Sequence, residues 1–322
     1  MFEPVHPEDL HLQTTKSDLR VVSYLSPNIA SSDFVLVGYP DDEGIKNNSG
    51  RPGARLAPNA IREFLFKMTP PAFRGEDTDL PLISDLGNLS TQPDLASRHE
   101  VAVAALEKNL GSKQKLISFG GGHDYGYVDG KYFLKRNADS SLRPLIFNFD
   151  AHLDVRPMSN GITSGTPFYR LLEHGGFDFY EIGIQEHCNS KEHLRWLKSQ
   201  GGQVISFSDL YTSSERYPQS FLNFTRFKKI LESETNPHRP CYVSVDIDAF
   251  SNAYAMGCSQ SFATGLEPLG FLQMFCFLLD HFDVQVLGIY EVSPPLDQDH
   301  RTAKLAAQIA YRYLHHAAQS ST

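Results

Sequence analysis

The sequence is poor in cysteine, with four thiols among 322 residues and no Cys-x-x-Cys pair. Thiols so few and so widely spaced indicate neither a disulfide framework nor a thiolate zinc site. We therefore expect free thiols in a reducing compartment and a cytoplasmic location. The N-terminal segment MFEPVHPEDLHLQTT also lacks the basic start and apolar run of a signal peptide. No stretch approaches the roughly 18 to 20 apolar residues that a membrane span requires.

Basic residues are outnumbered, and they form no cluster. The 29 Lys and Arg residues stand against 38 Asp and Glu residues, which gives a formal net charge of −9. A chain of this kind is poorly suited to nucleic acid or to an anionic membrane, so we expect neither as a partner. The composition, with 41% apolar and 21% charged residues, is ordinary for a globular protein. The acidic excess has two explanations: solubility, or carboxylates that hold cations.

Short apolar runs alternate with helical patterns along most of the chain. The runs do not alternate strictly between apolar and polar residues, which is typical of parallel strands buried on both faces. Strands are predicted at residues 34–38, 115–119, 145–149, 179–183, 203–207, 242–245 and 284–289. Helices are predicted at residues 57–68, 96–110, 167–172, 191–199, 219–231, 268–279 and 301–315. The alternation indicates repeated βαβ units. We therefore predict one α/β domain at residues 31–322, preceded by an N-terminal arm at residues 1–30.

The segment DAHLD directly follows one of the predicted strands. Its Asp150, His152 and Asp154 are spaced at i, i+2 and i+4, which in an extended chain projects all three side chains to one side. Two carboxylates and an imidazole in that arrangement favour a bound cation. Oxygen and nitrogen ligands without a thiolate favour an ion such as Mn²⁺. The alternative is a solvated strand end.

Two further strand ends carry the same residue types. Asp246 and Asp248 end another apolar run, and GGGHD places His123 after three glycines. Ligands of open parallel sheets collect beyond the carboxyl ends of the strands, so we expect these residues to meet the DAHLD segment there. Two imidazoles and four carboxylates suit two cations that share bridging carboxylates better than they suit one.

These three segments, in this order and at this separation, resemble the ureohydrolase superfamily of arginases, agmatinases and formimidoylglutamases. The resemblance extends from about residue 34 to residue 315 and includes segments 38–62, 85–88 and 288–297. It implies a single three-layer α/β domain with a central, mainly parallel eight-stranded sheet, and two Mn²⁺ ions, although Ni²⁺, Fe²⁺ and Co²⁺ suit the same ligands. By position, one metal would take His123, Asp150, Asp154 and Asp246. The other would take His152, Asp150, Asp246 and Asp248, so that Asp150 and Asp246 bridge.

Within this superfamily, three features resemble the formimidoylglutamase branch: NxGRxGA at residues 48–54, DxRP at 154–157, and GIQ at 183–185 followed by Asn189. Arg156 is expected to bind a substrate carboxylate, because its guanidinium can grip a carboxylate with two hydrogen bonds. Asn189 and Arg51 are further candidates for substrate contacts. Ser164 is another, at the position where arginases carry a histidine.

Two departures from the pattern bear on metal and substrate. Ser251 stands where arginases and agmatinases continue their second DxD motif with a further aspartate, and 257–261 reads GCSQS where relatives often read GVSAP. The resemblance implies that Glu291 pairs with the substrate's nitrogen cation. We expect Asp124 to donate a proton to the leaving nitrogen, or else only to orient metal ligands.

The sequence thus predicts a binuclear metal hydrolase that cleaves N-formimino-L-glutamate to L-glutamate and formamide. One alternative is a related enzyme that acts on a guanidino compound and releases urea. Another is a metal-depleted, non-enzymatic relative, and a third is a purely structural cluster, which the cost of burying unpaired polar groups disfavours. The expected partner is a small amidine or guanidino molecule. The resemblance also allows a homo-oligomer, although no feature of the sequence demands one.

Overall fold

The computed structural model describes residues 1–5, 10, 12, 19–71, 79–90, 94–211 and 221–320. Its centre is a nine-stranded sheet in the order β1-β3-β2-β4-β9-β8-β5-β6-β7. The strands are β1 Phe2–Glu3, β2 Phe34–Gly38, β3 Ile83–Leu89, β4 Lys115–Phe119, β5 Leu145–Phe149, β6 Asp178–Ile184, β7 Gln203–Ser206, β8 Pro240–Asp246 and β9 Asp283–Tyr290. Each of the neighbouring pairs is parallel except β1 with β3, which is antiparallel.

Helices cover both faces of this sheet. They are α1 Glu43–Asn47, α2 Ala57–Phe66, α3 Leu95–Asn109, α4 Gly126–Arg136, α5 Pro167–Leu172, α6 Lys191–Ser199, α7 Phe207–Tyr211, α8 Phe224–Leu231, α9 Pro268–His281 and α10 Arg301–Ser320. One apolar core joins the sheet to α2, α8, α9 and α10, and a second joins it to α3, α4, α5 and α6. Central strands such as β2 and β5 are therefore buried along their whole length, which explains their continuous apolar character.

The predicted three-layer α/β fold is confirmed, but the sheet has nine strands instead of eight. All seven predicted strands are present, and two were missed. The first is β1, only two residues long, which joins the edge of the sheet beside β3. The second is β3, whose sequence ISDLGNL contains too many polar residues to resemble a buried strand. Residue 207 was predicted to end a strand, yet it begins α7.

Helix predictions are largely matched in position. The helix predicted at 219–231 begins at Phe224, and residues 219 and 220 lie outside the described part of the chain. Three helices were missed: α1, α4 and α7. The division into an arm and a main domain stays a prediction, with β1 already paired to the main sheet. No described helix is both long and apolar enough to cross a membrane.

The polar residues of β3 are explained by Arg62 of α2, whose side chain is fully buried. Its guanidinium donates to both carboxylate oxygens of Asp85, at 2.7 and 2.9 Å, and to Asn88 Oδ1 at 2.8 Å. A buried arginine requires such partners, because an unpaired buried charge is strongly destabilising. Segments 38–62 and 85–88, which contribute to the resemblance, therefore meet in a scaffold contact between α2 and β3.

Candidate metal centre and substrate cavity

Four neighbouring strands carry the candidate residues to one place. In the sheet, β4, β9, β8 and β5 are consecutive and parallel. Their carboxyl ends therefore lie side by side, and the loops that follow them converge. The loops after β4, β5 and β9 contribute His123, the DAHLD segment and Glu291, respectively, and the end of β8 with the turn that follows it contributes Asp246 and Asp248.

His123 lies at the centre of the first group of candidate ligands. Its Nδ1 is 3.2 Å from Asp150 Oδ2, 2.9 Å from Asp154 Oδ2 and 3.2 Å from Asp246 Oδ2. The ring is fully buried, yet Nδ1 makes no well-oriented hydrogen bond to any described residue. Three carboxylate oxygens crowd around one buried nitrogen that binds none of them properly. A shared cation would satisfy all four atoms.

The opposite edge of the His123 ring is held in place. Its Nε2 lies 2.9 Å from Ser244 Oγ, and its face stacks on the Tyr290 ring with centroids 4.8 Å apart. These contacts fix the ring plane and leave Nδ1 aimed at the carboxylates. Fixing an imidazole through its second nitrogen is the usual way in which proteins orient a metal ligand.

A second group consists of Asp150, His152 and Asp248, whose ligand atoms lie within 4.8 Å of one another. His152 Nδ1 is 3.0 Å from Asp248 Oδ2 and 3.5 Å from Asp150 Oδ1. Asp150 therefore belongs to both groups. Asp246, which the resemblance also places in both, belongs to the first group, and its Oδ1 accepts the backbone N–H of Asp248 at 2.9 Å.

Burial and mutual repulsion act on these carboxylates. Burial, and then the charge of Asp248, raises the pKa of Asp246 well above its usual range. Burial also raises the pKa of Asp248 to about 6. Burial and the neighbouring Asp150 raise the pKa of Asp154. Without positive charge nearby, the cluster therefore disfavours the ionised forms that metal binding requires.

Asp150 behaves differently because both imidazoles contact it. Burial opposes its ionisation, but the neighbouring His123 and His152 imidazoles outweigh burial and lower its pKa. Burial likewise opposes the charged imidazoles, yet the surrounding carboxylates raise the pKa of both. Only positive charge stabilises this set of groups. Its oxygen and nitrogen donors fit two hard to borderline divalent ions.

Backbone strain marks two of these positions. Asp154 has a φ of 45° and Glu291 has a φ of 66°, in the left-handed region that residues with a side chain rarely occupy. Such strain costs on the order of 1 to 3 kcal/mol and is concentrated at functional sites. Both side chains line the cavity described below.

Glu291 lies where the sequence predicts a catalytic carboxylate. Its Oε1 accepts the backbone N–H of His123 at 3.0 Å, which ties the loop after β9 to the loop after β4. Burial, and then the charge of Asp246, raises its pKa. The carboxylate lines the cavity beside the metal-ligand candidates.

Asp124 lies elsewhere. Its side chain is buried behind His123, where Oδ2 is 2.9 Å from His99 Nε2, and it packs against Gly44. It is not among the residues that line the cavity. Arg170 lies 2.9 Å from the other ring nitrogen of His99, so this imidazole accepts from arginine and donates to Asp124. The geometry supports an orienting role and offers no path for the predicted proton donation to a substrate.

A cavity opens directly above the two ligand groups. Arg156, Ser164 and Asn189 line it, as the sequence predicts for substrate contacts. Asn189 is already occupied, because its amide donates to the carbonyl oxygens of Ala151 and Gln185 at 2.8 and 2.7 Å. It therefore braces the DAHLD loop as well as facing the cavity.

Arg51 does not reach the cavity. Its guanidinium donates to the carbonyl oxygens of Ser259 at 2.9 Å and Cys258 at 3.0 Å. In this structure the guanidinium instead holds the GCSQS segment. That segment contributes Ser259 and Gln260 to the cavity wall, so Arg51 acts on the wall from behind.

Sequence reasoning missed several residues of the wall, notably Asn48, Cys188, His193 and Gln260. Asn48 opens the NxGRxGA pattern and could have been found there. His193 belongs to no motif. It lies in the first turn of α6, where its backbone N–H donates to the capping Ser190 Oγ at 3.1 Å, and only the fold brings it to Arg156.

The fold and the double ligand group define the class of this protein. The sequence model of the arginase family matches residues 32–315, and the chain belongs to that family. The predicted membership is confirmed.

Two relatives show which members of the family this chain resembles in sequence. A formimidoylglutamase of Clostridium tetani is 30% identical over 296 residues, which cover 89% of this chain and 83% of that protein. A formimidoylglutamase of Legionella pneumophila is 30% identical over 285 residues, covering 85% of this chain and 82% of that protein.

Solved structures agree with the fold. The Trypanosoma cruzi formiminoglutamase with Mn²⁺ has a TM-score of 0.80 at 25% identity and covers 94% of this chain and 99% of its own. The proclavaminate amidino hydrolase of Streptomyces clavuligerus has a TM-score of 0.76 at 25% identity and covers 92% and 95%, respectively.

Proposed function

We propose that this protein hydrolyses N-formimino-L-glutamate to L-glutamate and formamide. The observation that carries the proposal is the free guanidinium of Arg156, which lines the same cavity as the ligand candidates His152, Asp154 and Asp248. A site for divalent cations and a site for a carboxylate thus share one small space. The relatives from Clostridium tetani and Legionella pneumophila bear the name of this activity, and they support it.

Two Mn²⁺ ions are the proposed cofactors, held by the carboxylates and imidazoles of the two ligand groups. Ions in such a site act as Lewis acids and make water a competent nucleophile near neutral pH. The proposed ligands are His123, Asp150, His152, Asp154, Asp246 and Asp248. The Trypanosoma cruzi formiminoglutamase structure, which contains Mn²⁺, supports this choice of metal.

The protein's own groups orient the substrate. The Glu291 carboxylate receives the N–H groups of the planar formimino cation, for which a carboxylate is the natural acceptor. Arg156 binds a carboxylate of the glutamate part. Water adds its oxygen to the formimino carbon, and the C–N bond to the glutamate nitrogen breaks. A proton from the water must reach that nitrogen. Glu291 lines the cavity and Asp124 does not. Glu291 is therefore the proposed carrier of this proton.

A second candidate is hydrolysis of a guanidino compound with release of urea. The likeness to the proclavaminate amidino hydrolase favours it, and the metal chemistry would be the same. Arg156 and Ser164 in the cavity wall argue for a carboxylate substrate without a histidine contact. A non-enzymatic role is disfavoured, since all six candidate ligands and Glu291 are retained at one place.

The deciding experiment compares substrates on the Mn²⁺-loaded protein. N-formimino-L-glutamate, L-arginine, agmatine and a short guanidino acid are tested side by side for formamide and urea. Formamide from the first compound alone is expected. Urea from arginine with no formamide would overturn the substrate assignment, and no product from any compound would favour a non-enzymatic relative. Asp248→Asn should abolish turnover, whereas the exposed Asp139→Asn serves as its matched control.

We also propose a cytoplasmic location. All four cysteines are free in the structure, which suits a reducing compartment. Residues 1–30 remain a proposed arm, and the resemblance to the family allows a homo-oligomer.

A further inference from the structure

One buried carboxyl group near the ligand groups takes no part in the proposed reaction. Glu181 of β6 lies opposite Asn148 of β5 in the register of the sheet, and its side chain is fully buried. Ile146 and Phe179, two positions earlier on the same strands, belong to the second apolar core, so Glu181 and Asn148 project to that face of the sheet. Glu181 does not line the cavity, and it lies where neither substrate nor bulk water reaches it.

The side-chain amide of Asn148 joins Glu181 to Asp150. Its Nδ2 donates to Glu181 Oε2 at 2.8 Å and to Asp150 Oδ2 at 3.3 Å. An amide nitrogen carries two N–H groups, so it can make both hydrogen bonds at once. Asp150 is the aspartate that belongs to both ligand groups. Glu181 thus holds the amide that contacts this shared carboxylate.

The two oxygens of Asp150 face different ligand groups. Oδ1 accepts the backbone N–H of His152 at 2.6 Å and lies 3.5 Å from the Nδ1 of the same residue. Oδ2 accepts from Asn148 and lies 3.2 Å from His123 Nδ1. The carboxylate is therefore held from one side by the backbone and from the other by the amide. Loss of the amide contact would free Oδ2 to rotate away from the first ligand group.

Two oxygens of the pair formed by Glu181 and Asn148 have no partner. Glu181 Oε1 and Asn148 Oδ1 are buried and accept no hydrogen bond from any described residue. Burial, and then the charge of Asp150, raises the pKa of Glu181 well above its usual range. A neutral carboxyl group that donates its O–H to Asn148 Oδ1 would satisfy both oxygens and close a ring of two hydrogen bonds with the amide. A glutamine at position 181 can close the same ring, because its amide N–H replaces the O–H.

We propose that Glu181 is a positioning residue for Asp150, and that it acts through Asn148 to hold the aspartate shared by the two ligand groups in its bridging orientation. The inference rests on the proposed function, which assigns two Mn²⁺ ions to these groups. Because Asp150 serves both groups, a disturbance of its orientation should weaken the binding of both ions. A change at Asp154 or at Asp248 alters one group only.

Mn²⁺ binding to the metal-free protein provides the test, with free Mn²⁺ measured by electron paramagnetic resonance. Glu181→Leu fills a similar volume and offers Asn148 no partner, so we expect both binding steps to weaken by about tenfold or more. Glu181→Gln keeps the hydrogen bonds to Asn148 and should retain the wild-type affinity. Asn148→Leu should match Glu181→Leu, and the double variant should be no weaker than either single variant, since both residues act through one contact.

Ile205→Ala in β7 is the control for a loss of stability. Ile205 is buried in the same sheet and lies beside Ile182 of β6, so its truncation should lower the Tm and leave Mn²⁺ affinity unchanged. A second measurement is the magnetic coupling between two bound Mn²⁺ ions, which depends on the ligands that bridge them. This coupling should change in Glu181→Leu and keep its wild-type value in Glu181→Gln and in Ile205→Ala.

The outcomes separate this role from the proposed function. Wild-type affinity at both steps in Glu181→Leu would overturn the positioning role and leave the metal assignment intact. Equal weakening in Glu181→Gln would also overturn it, because the hydrogen bonds to Asn148 would then not be what Glu181 supplies. The expected pattern of Mn²⁺ binding, without formamide from N-formimino-L-glutamate in the wild type, would overturn the hydrolysis and leave the role of Glu181 standing. In the expected result, Glu181→Leu lowers kcat and changes KM little.

Discussion

One buried cluster in this protein contains several carboxylates and a second contains a single carboxylate among hydroxyl groups, and the two differ in how many donors surround them. In the ligand cluster, Asp150, Asp154 and Asp246 face a single nitrogen of His123. Behind it, the fully buried Asp129 of α4 stands alone among hydroxyl groups. It accepts hydrogen bonds from Tyr39, at 2.6 Å, and from Ser118 and Tyr290.

The difference shows what each cluster requires. Asp129 has three donors and needs no further partner, so it is a closed structural unit. The ligand cluster has several acceptors for each donor, and only added positive charge completes it. Tyr290 connects the two, because its hydroxyl contacts Asp129 while its ring stacks on His123. The hydroxyl cluster thus supports the ligand cluster from behind.

The largest effect should come from breaking the ligand cluster at its shared residue. Asp150→Asn removes a carboxylate from both ligand groups, so we expect loss of bound Mn²⁺ and a drop in formamide production of at least about 100-fold. Elemental analysis and the formamide assay check this. Asp139→Asn, an identical change at an exposed site, should keep both metals. Two metals per chain in the Asp150 variant would contradict the ligand assignment.

Removing the metal should lower the free energy of unfolding only in proteins whose ligand cluster is intact. At free Mn²⁺ about 1,000-fold above its Kd, bound metal adds roughly 4 kcal/mol to the free energy of unfolding. We therefore expect a chelator to lower the Tm of the wild type and of Asp129→Asn by similar amounts. In Asp150→Asn the chelator should change little. Calorimetry with and without chelator measures all three, and an equal shift in the Asp150 variant would place the stabilising metal elsewhere.

The contrast between the two clusters also explains what sequence could foretell. The ligand cluster was predictable because its residues follow apolar strands at fixed short spacing, and neighbouring parallel strands bring their ends together. Asp129 belongs to α4, a helix that the sequence pattern did not reveal, and its three partners come from separate parts of the chain. Nothing local marks such a residue as part of a site.

The details in which sequence and structure differ have related physical causes. The sequence pattern does not reveal the strand β3, because its polar residues accept hydrogen bonds from Arg62, which lies more than twenty positions away in the chain. Asp124 directly follows His123, yet the short helical turn at 123–125 directs the two side chains to opposite sides. The motif suggests a substrate contact for Arg51, and in the structure backbone carbonyl oxygens accept its hydrogen bonds. The type of a residue predicts which interactions it can make, and tertiary contacts determine which partner it has.

A smaller effect is expected from the pH dependence of the hydroxyl cluster. Burial raises the pKa of Asp129 from 3.8 to about 6 despite its three donors. A raised folded pKa means that the group favours the folded state fully below pH 3.8 and that this contribution is lost as pH rises through 6. The free energy of unfolding of wild type relative to Asp129→Asn should therefore fall by at most about 3 kcal/mol between pH 4 and pH 7.

Metal-free protein is used for this comparison, so that metal release at low pH does not contribute. Urea denaturation of both proteins across the range gives the difference. A flat difference would mean that Asp129 ionises as freely in the folded protein as in the unfolded chain, and the cluster would then not be the closed unit described above.

The smallest effect should come from the residue that joins the clusters. Tyr290→Phe removes one donor from Asp129 and from the 2.8 Å contact with Tyr242, while the ring that stacks on His123 remains. We expect a loss of about 1 kcal/mol in the free energy of unfolding and an unchanged affinity for Mn²⁺. Tyr290→Leu removes the ring as well, so its Mn²⁺ affinity should fall, by up to about tenfold. Metal titration measures the Mn²⁺ affinity of both variants. If both bind Mn²⁺ equally weakly, the hydroxyl group of Tyr290, and not its ring, stabilises the ligand cluster. The two clusters would then be coupled through Asp129.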